Sequence, residues 1–304
     1  MSLLVVGTVA FDSIETPYGS VDKAIGGAAT YICWAASYFY KNINLVSVIG
    51  EDWPADERQK LESRGVNTEG LQVIKGGKSF YWSGKYHDNM NSRDTLITDL
   101  NVLADFNPIL PESYKKSKIV MLGNLTPDIQ MQVLKQMDRK PDLVLLDTMN
   151  FWMDIAMPSL KKVLKKVDIL TINDEEARQL SGEHSLVKAA AVIRKMGPKT
   201  LVIKKGEHGA LLFHKDEVFF APALPLNEVI DPTGAGDTFA GGFVGYLARS
   251  GKKSAVNLKK AMIYGSALAS FCVEDFSLTK LQGLDDEMIV DRLQQFKRLV
   301  HFTI

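Results

Sequence analysis

Apolar runs of strand length alternate with amphipathic stretches along most of this chain, and no other feature constrains its fold as much. Residues 3–9, 45–49, 119–122, 143–146, 169–172 and 200–204 read as core strands. Helices are predicted over 28–40, 54–64, 127–138, 159–166, 174–180 and 185–196, and in the tail over 238–248, 258–273 and 286–299. Such a pattern requires a parallel sheet with helices on both faces, since each strand is apolar on both sides. The expected class is α/β, a doubly wound, mostly parallel sheet flanked by helices. Residues 11–25 and 71–99 break the alternation and are rich in turn residues and residues of β character. They read as a small separate sheet, with Phe80, Tyr81, Trp82 and Tyr86 alternating between its faces. With no linker or repeat in view, the 304 residues read as a single domain carrying these two insertions.

Composition narrows the function classes. The 36 basic and 36 acidic residues cancel without forming a basic stripe, so nucleic acid or an anionic membrane surface has no electrostatic support as a partner. No segment approaches the roughly 18 uninterrupted apolar residues of a membrane span, and the opening residues lack the features of a signal peptide. Cys33 and Cys272 stand far apart in apolar contexts, which reads as two free thiols in a reducing, cytoplasmic compartment. His87, His184, His208, His214 and His301 share no ligand spacing, which argues against a structural zinc.

The chemistry concentrates in Asp231-Pro232-Thr233-Gly234-Ala235-Gly236-Asp237-Thr238. Pro232 and the glycines stop any preceding element, and an apolar helix opens near Gly236. The amides of Gly234, Ala235, Gly236 and Asp237 would lie unpaired at a helix start, where the backbone dipole favours an anion. A plain glycine turn capped by Asp237 is the simpler alternative, yet a cap needs neither Asp231 upstream nor two glycines flanking one alanine. A Walker loop fails, because Gln72 stands where its first glycine belongs before Gly77-Lys78-Ser79. A dinucleotide fingerprint fails at Phe239.

This run resembles the C-terminal signature of the ribokinase-like, pfkB-type carbohydrate kinases, and the likeness extends along nearly the whole chain. The resemblance implies a ribokinase-like fold whose small β-sheet is a lid over the substrate, and ATP-dependent phosphoryl transfer to a hydroxyl of a small polyhydroxy molecule. Asp237 would be the catalytic base, and Gly234, Ala235 and Gly236 the anion hole. Asp12, Gly26 and Gly27 match the family's substrate motif. A carboxylate there accepts two hydrogen bonds from adjacent hydroxyls, and paired glycines admit a polyol close to the backbone. Tyr31 stands where many members carry a substrate-binding asparagine. Asn124 and, more weakly, Thr126 follow a strand that brings a polar group to the substrate. Asp147 and Asn150 resemble a further segment from which the expected arginine is missing.

Asn173 and Glu176 match an Asn-x-x-Glu motif that acts on phosphates and on Mg2+ through water, although the same spacing is a helix capping box. Lys204 and Gly206 match the loop beside the nucleotide, and Asp231 with the Thr233 carbonyl matches part of a monovalent-cation (K+) site. Tyr264 to Ser266 would wall the adenine or simply pack a helix. A sugar is the first expectation for the substrate, a ribonucleoside the alternative, with lid aromatics stacking on a base. A non-catalytic sugar or nucleotide sensor is the remaining class. Lid pairing in some members implies a homodimer through the lid.

Overall fold

The computed structural model describes residues 2–301. β1 (Leu3–Val6) leads into an antiparallel pair, β2 (Ala10–Thr16) and β3 (Gly19–Gly26), and then helix α1 (Ala28–Ala36). β4 (Ile43–Gly50), α2 (Ala55–Ser63) and β5 (Val66–Ile74) follow, then a second antiparallel pair, β6 (Phe80–Tyr86) and β7 (Arg93–Asp99). The next stretch runs β8 (Ile119–Leu122), α3 (Pro127–Lys135), β9 (Leu143–Asp147), α4 (Asn150–Ile155), α5 (Met157–Leu164), β10 (Ile169–Asn173), α6 (Asp174–Ser181), α7 (Leu186–Lys195) and β11 (Thr200–Lys204). A hairpin of β12 (Ala210–His214) and β13 (Glu217–Ala221) precedes α8 (Ala235–Ser250), α9 (Ala255–Cys272), α10 (Thr279–Gln282) and α11 (Asp286–Val300).

Nine strands form the main sheet in the order β13-β12-β11-β10-β9-β8-β1-β4-β5. All neighbours are parallel except at β12, which pairs antiparallel with both β11 and β13. The chain builds outward from β1 to β5, returns to the other side of β1 at β8 and continues to β11. That reversal opens a crevice at the carboxyl ends of the strands, where sheets of this type bind ligands. Successive residues of β1 feed opposite faces: Leu3 and Val5 join the core under α1, α8 and α9, while Leu4 and Val6 join the core under α3, α5, α6 and α7.

β3, β2, β6 and β7 form the small second sheet in that order. The second lid segment is narrower than 71–99, because residues 71–74 continue β5 along the edge of the main sheet. On this small sheet and just after it, Leu96, Ile97 and Leu100 are exposed. Helix α8 is seated by close backbone contact. A Cβ on Gly241 would come within 2.5 Å of the Ile32 carbonyl, and one on Gly245 within 2.7 Å of Ala36 Cα. No side chain fits between α8 and α1, so the start of α8 is held rigidly relative to the sheet.

Candidate active site

Asp147 closes β9, Asn173 closes β10 and Lys204 closes β11, so three residues distant in sequence emerge side by side at the crevice. Asn173 and Lys204 are register partners, and Lys204 reaches past β10 to donate to Asp147 Oδ2 at 2.8 Å. The same oxygen accepts from Thr171 Oγ1 at 3.0 Å. A Cβ on Gly236 would stand 3.0 Å from Lys204 Nζ, which puts the ammonium against the first turn of α8. Burial alone would lower this lysine, but Asp147 and Glu176 outweigh it and hold its pKa above the usual value.

Gly234 caps α8 with φ 74°, a conformation that glycine adopts without strain. Ala235 donates its amide to the Pro232 carbonyl at 3.2 Å, and the Gly234 carbonyl accepts from the Thr238 amide at 2.7 Å. Among the described residues, the amides of Gly234, Gly236 and Asp237 find no acceptor. They stand partly exposed at the positive end of a 16-residue helix, a ready site for anionic oxygens. Ala235, expected in the anion hole, thus has its amide engaged by Pro232.

Three carboxyls nearby are held out of their ordinary range. Burial raises Asp237 to about 7, with Asp147 adding to the shift and Lys204 and Arg93 opposing it. Asp12 on β2 is 6% exposed and lies against Gly26, whose Cβ would clash with it, and accepts from the Gly27 amide. Burial, then Asp231 and Asp237, raise it to about 7. Glu176 is raised to about 7 by burial and Asp147, against Lys204. Each folded pKa exceeds the unfolded value of about 4, so these groups favour folding most below pH about 4 and lose that contribution as pH rises through 7. The ligand-free protein is expected to lose thermal stability between pH 5 and 8, and Asp237→Asn to flatten the slope. Scanning fluorimetry across this range checks it; parallel slopes in the two proteins would contradict it.

Asn173 and Glu176 form a reciprocal capping box, with both hydrogen bonds at 2.7 Å. The capping reading therefore holds, while the buried Glu176 carboxyl still lies close enough to Lys204 and Asp147 to feel their charge. No three His, Cys, Asp or Glu side chains converge to hold a metal among the described residues. Asp147 and Glu176 instead suit a cation that keeps its water shell, as Mg2+ does. Gly206, φ 54°, opens a short 3-10 turn beyond β11. Asp231 is fully buried; its Oδ1 accepts from the Thr233 amide at 2.8 Å and its Oδ2 from the Ser277 amide at 3.5 Å.

Other expected contacts lie elsewhere. Tyr31 is 1% exposed and sits behind the anion turn: a Cβ on Gly234 would land 2.4 Å from its ring, and its hydroxyl has no hydrogen-bond partner among the described residues. It buttresses the turn rather than lining the cleft. The Asn124 amide is engaged on both sides, Nδ2 with Met149 Sδ at 3.1 Å and Oδ1 with Trp152 Nε1 at 2.7 Å. Thr126 caps α3 by accepting from the Ile129 amide. Tyr264 packs on Tyr246 and Phe39 under the Arg249 guanidinium, the plain helix-packing alternative. Arg93, whose charge reaches Asp12, Glu176 and Asp237, carries no local sequence signal and was not anticipated.

Free amides on a rigid helix start, an unpartnered carboxyl on the same turn, an ammonium beside it and a β lid above define a small-molecule kinase, a phosphotransferase with a hydroxyl acceptor. The chain belongs to the pfkB family: the pfkB family carbohydrate kinase model matches residues 2–282. A cytidine kinase of Thermococcus kodakarensis is 30% identical over 255 residues, covering 82% of this chain and 89% of that protein. Among solved structures, the nucleoside kinase of Methanocaldococcus jannaschii, an archaeal member of the ribokinase family, has a TM-score of 0.76 at 22% identity, covering 97% of this chain and 99% of that one. A putative ribokinase II from E. coli, in complex with ATP and Mg2+, has a TM-score of 0.79 at 18% identity, covering 98% and 99%. The ribokinase-like fold expected from the sequence is thereby established.

Proposed function

We propose that this enzyme is a nucleoside kinase that transfers the γ-phosphoryl group of ATP to a ribose hydroxyl. Asp12 holds the ribose hydroxyls, Asp237 accepts the proton of the reacting one, and the amides of Gly234, Gly236 and Asp237 receive the migrating group. Lys204 neutralises phosphate charge, and Asp147 and Glu176 would hold Mg2+ through water, where the ion would supply positive charge to the phosphates. Gly206 and Asn173 border the nucleotide. Asp231 fits a monovalent cation such as K+, being a fully buried carboxylate with one long hydrogen bond on Oδ2 and no cationic partner among the described residues.

One observation carries the choice of a nucleoside over a free sugar. Trp82 pairs in register with Asp12 across β2 and β6, so the two share a lid face. Its indole lies flat across Gly84, where an added Cβ would meet the ring at 2.2 Å, and its Nε1 donates to Thr95 at 3.3 Å. A flat aromatic surface beside a diol-binding carboxylate suits a base attached to a ribose; a free sugar leaves it uncovered. The likeness to a cytidine kinase points the same way.

Coupled ADP release with cytidine, inosine, adenosine and ribose tests this reading. Turnover of at least one nucleoside is expected to exceed that of ribose. Trp82→Ala should raise the nucleoside KM about tenfold or more, since stacking on an aromatic ring contributes about 1–3 kcal/mol per base. Ribose turned over best, or a nucleoside KM unmoved in the variant, would reject it.

A further inference from the structure

The lid hairpin spans both halves of the cleft. Tyr86, at the end of β6, is 5% exposed and its hydroxyl accepts from Thr233 Oγ1 at 3.2 Å, so the lid is tied to the segment leading into the anion turn. Arg93, the first residue of β7, is the cross-strand partner of Tyr86 and therefore leaves the sheet on the same face. Its guanidinium carbon lies 5.6 Å from the Trp82 ring centre and 6.0 Å from that of Tyr86, which orients it along the lid's inner surface. Past Arg93 the hairpin tip reaches the nucleotide side, where a Cβ on Gly206 would stand 3.2 Å from Asn91 Oδ1. From this position the charge of Arg93 acts on Asp12, Asp237 and Glu176 together. Those three lie on the acceptor side, at the reacting position and on the phosphate side. It forms no salt bridge with any of them among the described residues and hydrogen-bonds only the Tyr86 side chain, so the rest of its planar fork remains available to a ligand lying between them.

We infer that Arg93 is a catalytic residue, carried by the lid, that grips the phosphoryl group during transfer. The acceptor oxygen bonds to the γ-phosphorus as its proton passes to Asp237. The bond from that phosphorus to the bridging oxygen breaks, and its electron pair leaves on ADP. Charge on the moving group is met by the amides of Gly234, Gly236 and Asp237 from the sheet side and by Arg93 from the lid side. Lid closure thus completes the charge-neutralising set, and an open lid leaves the amides and Lys204 without it. This role rests on phosphoryl transfer at the Gly234–Asp237 turn and on no particular acceptor.

Arg93→Ala and Arg93→Lys test it. With cytidine or ribose as acceptor, Arg93→Ala is expected to lower kcat by about 10²- to 10³-fold, with both KM values within about threefold and the melting temperature unchanged. Free guanidinium ion should restore part of the lost rate in Arg93→Ala and none in the native enzyme. Arg93→Lys should stay well below the native enzyme, because an ammonium lacks the bidentate fork. A residue that merely braced Tyr86 and Trp82 would instead shift stability or KM and would not respond to guanidinium. Binding of Mg2+–ADP with and without tetrafluoroaluminate gives a readout that needs no acceptor: tightening by the fluoride complex in the native protein should be lost at least tenfold in Arg93→Ala. Failure of every tested acceptor would reject the nucleoside reading alone. Equal tightening in both proteins, or a kcat within threefold of native, would overturn the role of Arg93.

Discussion

Asp237→Asn is expected to lower kcat by about 10²- to 10⁴-fold, the range a positioned general base contributes. Its KM values for Mg2+–ATP and the acceptor should stay within about threefold. Asparagine is nearly isosteric and keeps the place on the first turn of α8, so the free amides of Gly234, Gly236 and residue 237 persist. Only the proton acceptor is lost. In the native enzyme kcat/KM should fall as pH drops through about 7, because burial holds the Asp237 carboxyl protonated below that point. That acid limb should weaken in the variant. At pH 8 the variant should be at least as stable as the native protein, since it removes a desolvated ionised carboxylate that no donor among the described residues satisfies. Residual turnover within tenfold of native, with a normal pH profile, would remove Asp237 from the chemistry.

How much of this was legible in the sequence follows from how local each signal is. The central strands and the covering helices carry their own periodicity, and β8 to β11 stand where the apolar runs put them. Edge strands do not. β5 is buried only on alternate residues at its start, and β12 and β13 are short runs joined through Lys215, which adopts a positive φ of 52° without being a glycine. β5 lacks the continuous apolar pattern of a central strand, while β12 and β13 are apolar runs that form a hairpin at the sheet edge. The anion turn was readable because its function depends on contiguous backbone, so Gly234, Gly236 and Asp237 fall within four positions. Arg93 was not, because its partners at 12, 176 and 237 meet only when the small sheet folds over the large one.

Tyr31 illustrates a different failure. Matching its position to a substrate-binding asparagine carried over the location but not the size of the side chain. A tyrosine extending from α1 passes the place a shorter residue would occupy and ends beneath Gly234. The same helix that was expected to reach the substrate therefore reaches the anion turn from behind. Asn124 likewise follows its strand as expected, yet Trp152 on α4, a helix absent from the sequence reading, captures its carbonyl oxygen.

Gly234→Ala is expected to reduce kcat/KM by about 10²-fold or more and to lower the melting temperature. Two costs combine at this position. A left-handed φ of 74° costs a non-glycine residue about 1–2 kcal/mol. The added methyl would also arrive 2.4 Å from the ring of Tyr31, which is 1% exposed and packed where it cannot retreat freely. Because α8 is fixed against α1 by glycine contacts further along, the turn rather than the helix must yield. The free amides beside Lys204 would then be displaced. Gly236→Ala separates this from a general effect of bulk: its methyl would meet only Lys204 Nζ, at 3.0 Å, the far end of a flexible side chain. That variant should fold normally and lose about tenfold or less in turnover. Steady-state kinetics and thermal melts of the two variants side by side decide the matter. Should Gly234→Ala turn over like the native enzyme, the amides of this turn are not what holds the phosphoryl group.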